Sequence, residues 1–263
     1  MREFSLLIGL FLACFCPSSS ATASLIGDFS GGSLSGWSSG DDNLVVGGPA
    51  LYGLSAGRYA MSSTGQVSDA SQFGATGTLP GLGSAFLPSF SDSGYAEGTF
   101  TTSVILGNNE TSVLLGLRAV SSSVPLGAYY GFAINNSLDS LYMIAGGCPP
   151  YGCADLGVAS TGFGAIVPNT EYFLQASAIE NELSFKVWRA SDPEPAQAQI
   201  TAQLDPANQS AYGSGFGLIL YHNGTNSVVS GSFGDVMFEP VPEPSTALLL
   251  GLGLVGLAAR RRV

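Results

Sequence analysis

Short runs of alternating apolar and polar residues, separated by glycine, serine and asparagine, fill the middle of this chain. The clearest lies between Tyr172 and Arg189, where two alternating runs turn at Glu180-Asn181-Glu182. The second run places Leu183, Phe185 and Val187 on one face and Ser184, Lys186 and Trp188 on the other. A period of two marks a half-buried β-strand, and no long segment repeats apolar residues at helical spacing. Further strands are predicted near Leu44–Val46, Arg58–Ser62, Tyr95–Leu106, Ser112–Val120, Ala128–Asn135, Leu141–Ala145, Ala198–Leu204, Gly215–His222 and Gly231–Phe238. One flat sheet does not hold so many strands. Two packed antiparallel sheets, each burying one face, are the natural solution. No sequence repeat is present, which argues against a propeller or a β-solenoid.

The alternation stops at both ends. Met1-Arg2-Glu3 is followed by an apolar core from Phe4 to Phe15, and Ala21-Thr22-Ala23 supplies the small residues that a signal peptidase reads. Residues 1–23 are therefore expected to be a signal peptide, cut after Ala23 to leave a mature start at Ser24. The alternative, Cys14 as an acylated lipoprotein cysteine, leaves Ala21-Thr22-Ala23 unexplained. At the other end Val241-Pro242-Glu243-Pro244-Ser245 precedes an apolar run from Thr246 to Ala259 and then Arg260-Arg261-Arg262. Roughly fifteen helical residues span about 22 Å, short of the roughly 30 Å of hydrocarbon that a stable anchor crosses. Such a segment holds a bilayer transiently, with its arginines on the cytoplasmic side.

In this order the three features, over residues 241–263, resemble the PEP-CTERM sorting signal of Gram-negative bacteria. The resemblance implies transient anchoring in the inner membrane, processing by an exosortase near Pro244, delivery to the cell surface or extracellular matrix, and association with exopolysaccharide and biofilm. A second tripeptide, Pro193-Glu194-Pro195, is followed by the polar Ala196-Gln197-Ala198-Gln199. The signal thus resides in the ordered combination, not in the tripeptide.

With both ends set aside, residues 24–240 fit one large β domain. Between Ser24 and Glu243 the chain holds four cations, Arg58, Arg118, Lys186 and Arg189, against eighteen carboxylates, a formal charge of −14. Nucleic acid is excluded as a natural partner. The cysteines left after signal removal are Cys148 and Cys153, in Gly147-Cys148-Pro149-Pro150-Tyr151-Gly152-Cys153. In an exported protein a disulfide is expected there, stiffening one loop by roughly 2 kcal/mol.

The opening Ile26-Gly27-Asp28-Phe29-Ser30-Gly31-Gly32-Ser33-Leu34-Ser35-Gly36-Trp37 resembles the first strand and turn of jelly-roll carbohydrate-binding domains. Leu183 to Arg189, the loop through Pro195, and Gly231-Ser232-Phe233-Gly234-Asp235-Val236 are similar to the C-terminal half of concanavalin A-like and laminin G-like sandwiches. The resemblance implies an all-β, two-sheet antiparallel jelly-roll sandwich. In some such domains a structural calcium joins the first strand to the last, and Asp28 and Asp235 occupy the matching places. Calcium takes six to eight oxygens, so backbone carbonyls and water must complete the set. The other reading makes both residues turn or strand-end aspartates. Asp41-Asp42 stands between the same two readings.

Catalytic patterns are present but lack their context. Gly53-Leu54-Ser55-Ala56-Gly57 matches a nucleophile elbow, yet Arg58-Tyr59-Ala60-Met61 continues as a strand where that motif requires a helix. His222 is the only histidine, at a predicted strand end. Glu180 and Glu182 have the alternating spacing of paired carboxylates, but they flank the hairpin tip, and the glutamate-x-aspartate-x-x-glutamate motif of jelly-roll glucanases is absent. Sugar binding asks less of the sequence, namely an aromatic face beside polar groups. Trp188, on the polar face with Lys186, is the first candidate; Tyr129, Tyr130, Tyr142 and Tyr151 are weaker ones. A loop covering Trp188, and Trp37 packed under the first turn, are the structural alternatives. The sequence therefore predicts a non-enzymatic exported surface or matrix protein that meets signal peptidase and exosortase and binds a matrix polysaccharide. A polysaccharide-active enzyme on the same sandwich and a purely structural matrix component are the alternatives.

Overall fold

The computed structural model describes residues 23–33, 38–40, 51–63, 81–87, 97–108, 111–119, 129–136, 139–146, 154–204, 215–222 and 229–241. They form sixteen strands in two antiparallel sheets. The nine-stranded sheet runs β13 (Ile200–Gln203), β12 (Glu182–Arg189), β11 (Glu171–Ile179), β6 (Gly98–Leu106), β15 (Val229–Phe233), β4 (Arg58–Ser63), β3 (Leu51–Ser55). Two more strands branch from β6: β16 (Val236–Pro240) pairs with it, and β1 (Ser24–Gly27) pairs with β16. The seven-stranded sheet runs β10 (Ala154–Ser160), β9 (Ser140–Gly146), β8 (Tyr129–Asn135), β7 (Thr111–Ala119), β14 (Gly215–His222), β5 (Gly81–Leu87), β2 (Ser38–Gly40).

Strands form where alternation predicts them, and at five further places, of which β1 lies in the opening segment that the jelly-roll resemblance implies. Leu44–Val46 lies outside the described residues. The other four, β2, β3, β5 and β10, are short or rich in glycine, serine and alanine, as in Gly81-Leu82-Gly83-Ser84-Ala85-Phe86-Leu87. Their intrinsic preference for strand is weak, and a ladder partner at the sheet margin supplies what the residues do not. Residues 231–238, expected as one strand, are two.

Alternation becomes burial across the sheet. On β11 the inward residues Tyr172, Leu174, Ala176 and Ala178 are fully buried, and on β12 Leu183, Phe185 and Val187 match them. Aromatic rings join the two sheets: Phe100 stacks on Phe216 with centroids 4.5 Å apart, and Phe132 meets Phe185 at 5.6 Å. Such pairs add to the area effect, the largest favourable contribution here. In the seven-stranded sheet β7 and β8 are buried on both faces: Leu114 and Ala133 point away from the central cluster and are still covered.

The break between β15 and β16 has a local cause. Gly234 passes so close to β6 that a Cβ there would run into the Ser103 hydroxyl. Its amide donates to the Ser103 carbonyl at 2.7 Å, and its carbonyl accepts from the Thr102 hydroxyl at 2.9 Å. Asp235 then turns to the opening segment, where its Oδ1 accepts from the Ser30 amide at 2.7 Å and its Oδ2 from the Ser30 hydroxyl at 2.6 Å. Beside this point Arg58 of β4 stitches neighbouring strands: Nε donates to Ser232 Oγ at 2.9 Å, and Nη1 to Ser103 Oγ at 3.0 Å and Glu171 Oε1 at 2.8 Å.

Both carboxylates of this network are held below their ordinary ranges. For Glu171 the Ser103 hydrogen bond leads, burial opposes it, and Arg58 adds its hydrogen bond and charge. For Asp235 burial favours the neutral acid but is outweighed by the hydrogen bonds from Ser30 and Phe29 and by Arg58. A depressed folded pKa means that the folded domain binds these protons less readily than the unfolded chain. The stabilisation is complete above the ordinary values of 4.5 and 3.8 and is lost as pH falls through the depressed ones. The melting temperature, followed from neutral pH downward, is expected to fall once the medium passes below about pH 4.5, and Glu171→Gln to make that fall shallower. Glu171 is 40% exposed, so solvent screening limits its share to about 1 kcal/mol or less. Core truncation is expected to act more strongly: Phe185→Ala should cost about 3–5 kcal/mol in chemical denaturation, while Val158→Ala on the exposed edge stays within about 0.5 kcal/mol.

Candidate functional site

The outward face of the nine-stranded sheet collects the chain's unspent recognition chemistry. Because β11 and β12 pair with Phe173 opposite Trp188, two aromatic residues that alternate away from the core stand side by side. Their rings stack at 5.4 Å with planes 27° apart, and both are half-buried. Next to them along the same face lie Gln175, which donates to the Thr101 hydroxyl at 3.4 Å, and the Thr99–Ser177 hydroxyl pair at 3.1 Å. Lys186, one alternation before Trp188, is tied to Glu194 at 2.6 Å.

Across β6 the face becomes a trough. Glu171, Ile105, Ser232, Ala60 and Gly53 are successive cross-strand neighbours from β11 to β3, and all but the first two are small. An open groove of about 470 Å³ results, with Ser55, Ser62, Ser230 and Asn169 also on its walls. The Arg58–Glu171 ion pair stands between groove and aromatic pair. Each of these charges is compensated locally, so the face offers hydroxyls, amides and aromatic surface, and the cations Arg58 and Lys186 on it are both paired.

Trp188 thus lies where alternation puts it, with Phe173 as a neighbour that the sequence pattern did not single out. The period of two in β11 assigns Phe173 outward, but the register of a hairpin had to place it against Trp188. The segment carrying Pro193-Glu194-Pro195 returns over this strand: Glu194 pairs with Lys186, and the Gln199 amide bonds both the N–H and the carbonyl of Val187. The second tripeptide is therefore built into the folded domain.

Asp28 and Asp235 meet at one turn. Asp28 Oδ1 accepts from the Gly31 amide at 2.7 Å, next to the Ser30 contacts of Asp235, so three of the four carboxylate oxygens brace this turn. That is the geometry of turn acceptors, and the calcium expectation rests on the residue types alone. Among the described residues no group of three or more His, Cys, Asp or Glu side chains converges on a common point.

The catalytic patterns resolve into structure. Ser55 closes β3, and Ala56 and Gly57 take φ of 50° and 72°, a two-residue hairpin and not a strand-to-helix elbow. Glu180 occupies the β11–β12 turn with φ of 48°, while Glu182 opens β12, so the two do not share a strand face. His222 ends β14. Tyr130 points into the core and Tyr142 is half-buried. The side chain of Tyr129, together with Ala21, Trp37, Asp41, Asp42, Cys148, Tyr151, Cys153, Pro242, Glu243, Pro244 and the three terminal arginines, lies outside the described residues, so the expected disulfide and apolar tail helix do as well.

Residues 240–262 match the PEP-CTERM protein-sorting motif, the mark of an exported protein that an exosortase processes. No curated protein matches the chain in sequence. Among solved structures it is similar to SCLam, a non-specific endo-beta-1,3(4)-glucanase from family GH16, at 10% identity and a TM-score of 0.53, covering 84% of this chain and 91% of that one. It is also similar to the catalytic domain of an endo-1,3-beta-glucanase from Thermotoga petrophila RKU-1, at 11% identity and a TM-score of 0.52, covering 84% and 100%. The carbohydrate binding module CBM66 from Bacillus subtilis aligns at 14% identity and a TM-score of 0.46, over 78% and 95%. At such identities the likeness to the two glucanases is one of fold. The chain is an exported jelly-roll β-sandwich that carries a PEP-CTERM protein-sorting motif over residues 240–262.

Proposed function

We propose that this protein is a non-enzymatic surface or matrix protein of a Gram-negative bacterium, held briefly at the inner membrane by its tail, and that its sandwich binds a matrix polysaccharide. The observation that carries the binding reading is the Phe173–Trp188 pair, presented outward beside hydroxyls and an amide. Sugars offer apolar C–H faces that stack on such rings and hydroxyls that exchange hydrogen bonds with Gln, Ser and Thr side chains. The non-enzymatic reading is supported by the way the candidate acids are used: Glu171, Glu194 and Asp235 hold structural contacts, and Glu180 sits in a turn.

Two measurements test the two halves of the reading. Trp188→Ala is expected to weaken retention on the host matrix polysaccharide at least about tenfold, with a melting temperature close to that of the parent; unchanged retention removes the binding site. Intact mass and localisation of the native protein are expected to shift when the exosortase is deleted. An unaltered tail at an unaltered location would refute the sorting half.

A further inference from the structure

We propose that the groove beside β3 is a second subsite of the same face, and that together the two regions take an uncharged glycan chain laid across the strands. The proposal rests on the carbohydrate reading above and specifies its ligand class and extent. From β12, which holds Trp188, the face crosses β11, β6, β15 and β4 to β3; at a strand spacing of about 4.8 Å this is a path of roughly 24 Å. A single sugar ring covers only the aromatic pair. A chain that stacks one unit on Trp188 and Phe173 is carried by its length past Arg58 and Glu171 into the groove.

Size and polarity select the ligand. The groove exists because the outward positions there are Gly53, Ala60, Ser62, Ser230 and Ser232, where a larger residue on any of these strands would fill it. Its walls set the serine hydroxyls and the Asn169 amide among apolar surface from Leu54, Ala60 and Ile105; the polar groups donate and accept with sugar hydroxyls at no cost in charge, and the apolar surface suits sugar C–H faces. Charge excludes the other class of polymer. Arg58 and Lys186 are already neutralised by Glu171 and Glu194, and the whole chain carries −11. A uronate or otherwise acidic polysaccharide meets a repelling field, and the described cations of this face, Arg58 and Lys186, already have carboxylate partners.

Gly53 offers a clean way to close the groove. Nothing lies within 4 Å of a Cβ built there, and its φ is outside the left-handed region, so Gly53→Leu is expected to fold and melt like the parent while occupying the trough. The test measures binding of the purified protein to neutral gluco-, manno-, galacto- and xylo-oligosaccharides from dimer to hexamer, with alginate oligosaccharides as the acidic comparison. In at least one neutral series affinity is expected to rise about tenfold or more from dimer to hexamer, the alginate series to bind more weakly, and Gly53→Leu to lose that length-dependent gain while keeping the dimer. A Gly53→Leu protein that binds the hexamer as the parent does, or an alginate hexamer that binds as tightly as the neutral one, overturns the proposal. Loss of all binding in Trp188→Ala with retention of the dimer in Gly53→Leu separates the two subsites. Hexamer binding that survives Trp188→Ala but not Gly53→Leu keeps the groove and discards the aromatic reading, and a parent that binds no neutral oligosaccharide discards both.

Discussion

The close approach of Gly234 to Ser103 is the constraint on which the rest of this sandwich turns. With no side chain in the way, the chain leaves β15 while pinned to β6 by hydrogen bonds to the Ser103 carbonyl and from the Thr102 hydroxyl, and enters β16 on a new course. One strand of sequence thereby serves two ladders. β15 continues the row from β6 to β4 and β3, and β16 carries β1, so the strand at Ser24–Gly27 pairs with the last strand before the sorting motif. Any larger residue at 234 would press on Ser103, whose hydroxyl also serves Arg58 and Glu171.

From that pivot the outward face acquires its character. Arg58 is long enough to bridge β4, β15, β6 and β11, and it spends its donors on Ser232, Ser103 and Glu171. The ion pair is therefore a piece of the sheet and not a free charge awaiting a ligand. On one side of it small residues leave a trough, on the other two aromatic rings stand together. The division of labour comes from strand periodicity: the core takes every second side chain, and recognition is left with the others.

Much of this was legible in the sequence. The β11–β12 hairpin, its inward and outward sets, and the outward position of Trp188 derive from a period of two, which is a local property. The ordered tripeptide, apolar run and arginines of the tail are likewise linear, so a reading of the chain suffices to recognise them. Weakly patterned strands such as β5 and β10 were not legible, because glycine, serine and alanine become strand there through their neighbours. The nucleophile-elbow pattern at Gly53–Gly57 shows the converse, a local match that its own sequence context refuses. Five residues match a motif whose geometry requires a helix after the serine, and the chain instead makes a two-residue hairpin into β4.

Sequence alone determined the fold class, the sorting motif and the sidedness of the best-patterned strands, because each is written in local spacing of apolar, small and charged residues. Tertiary structure decided the rest. Phe173 reaches Trp188 through hairpin register, Arg58 reaches Glu171 over a separation of 113 residues, and the groove combines walls from distant parts of the chain. Cross-strand neighbours come from strand order and register, which long-range packing selects and no local pattern encodes.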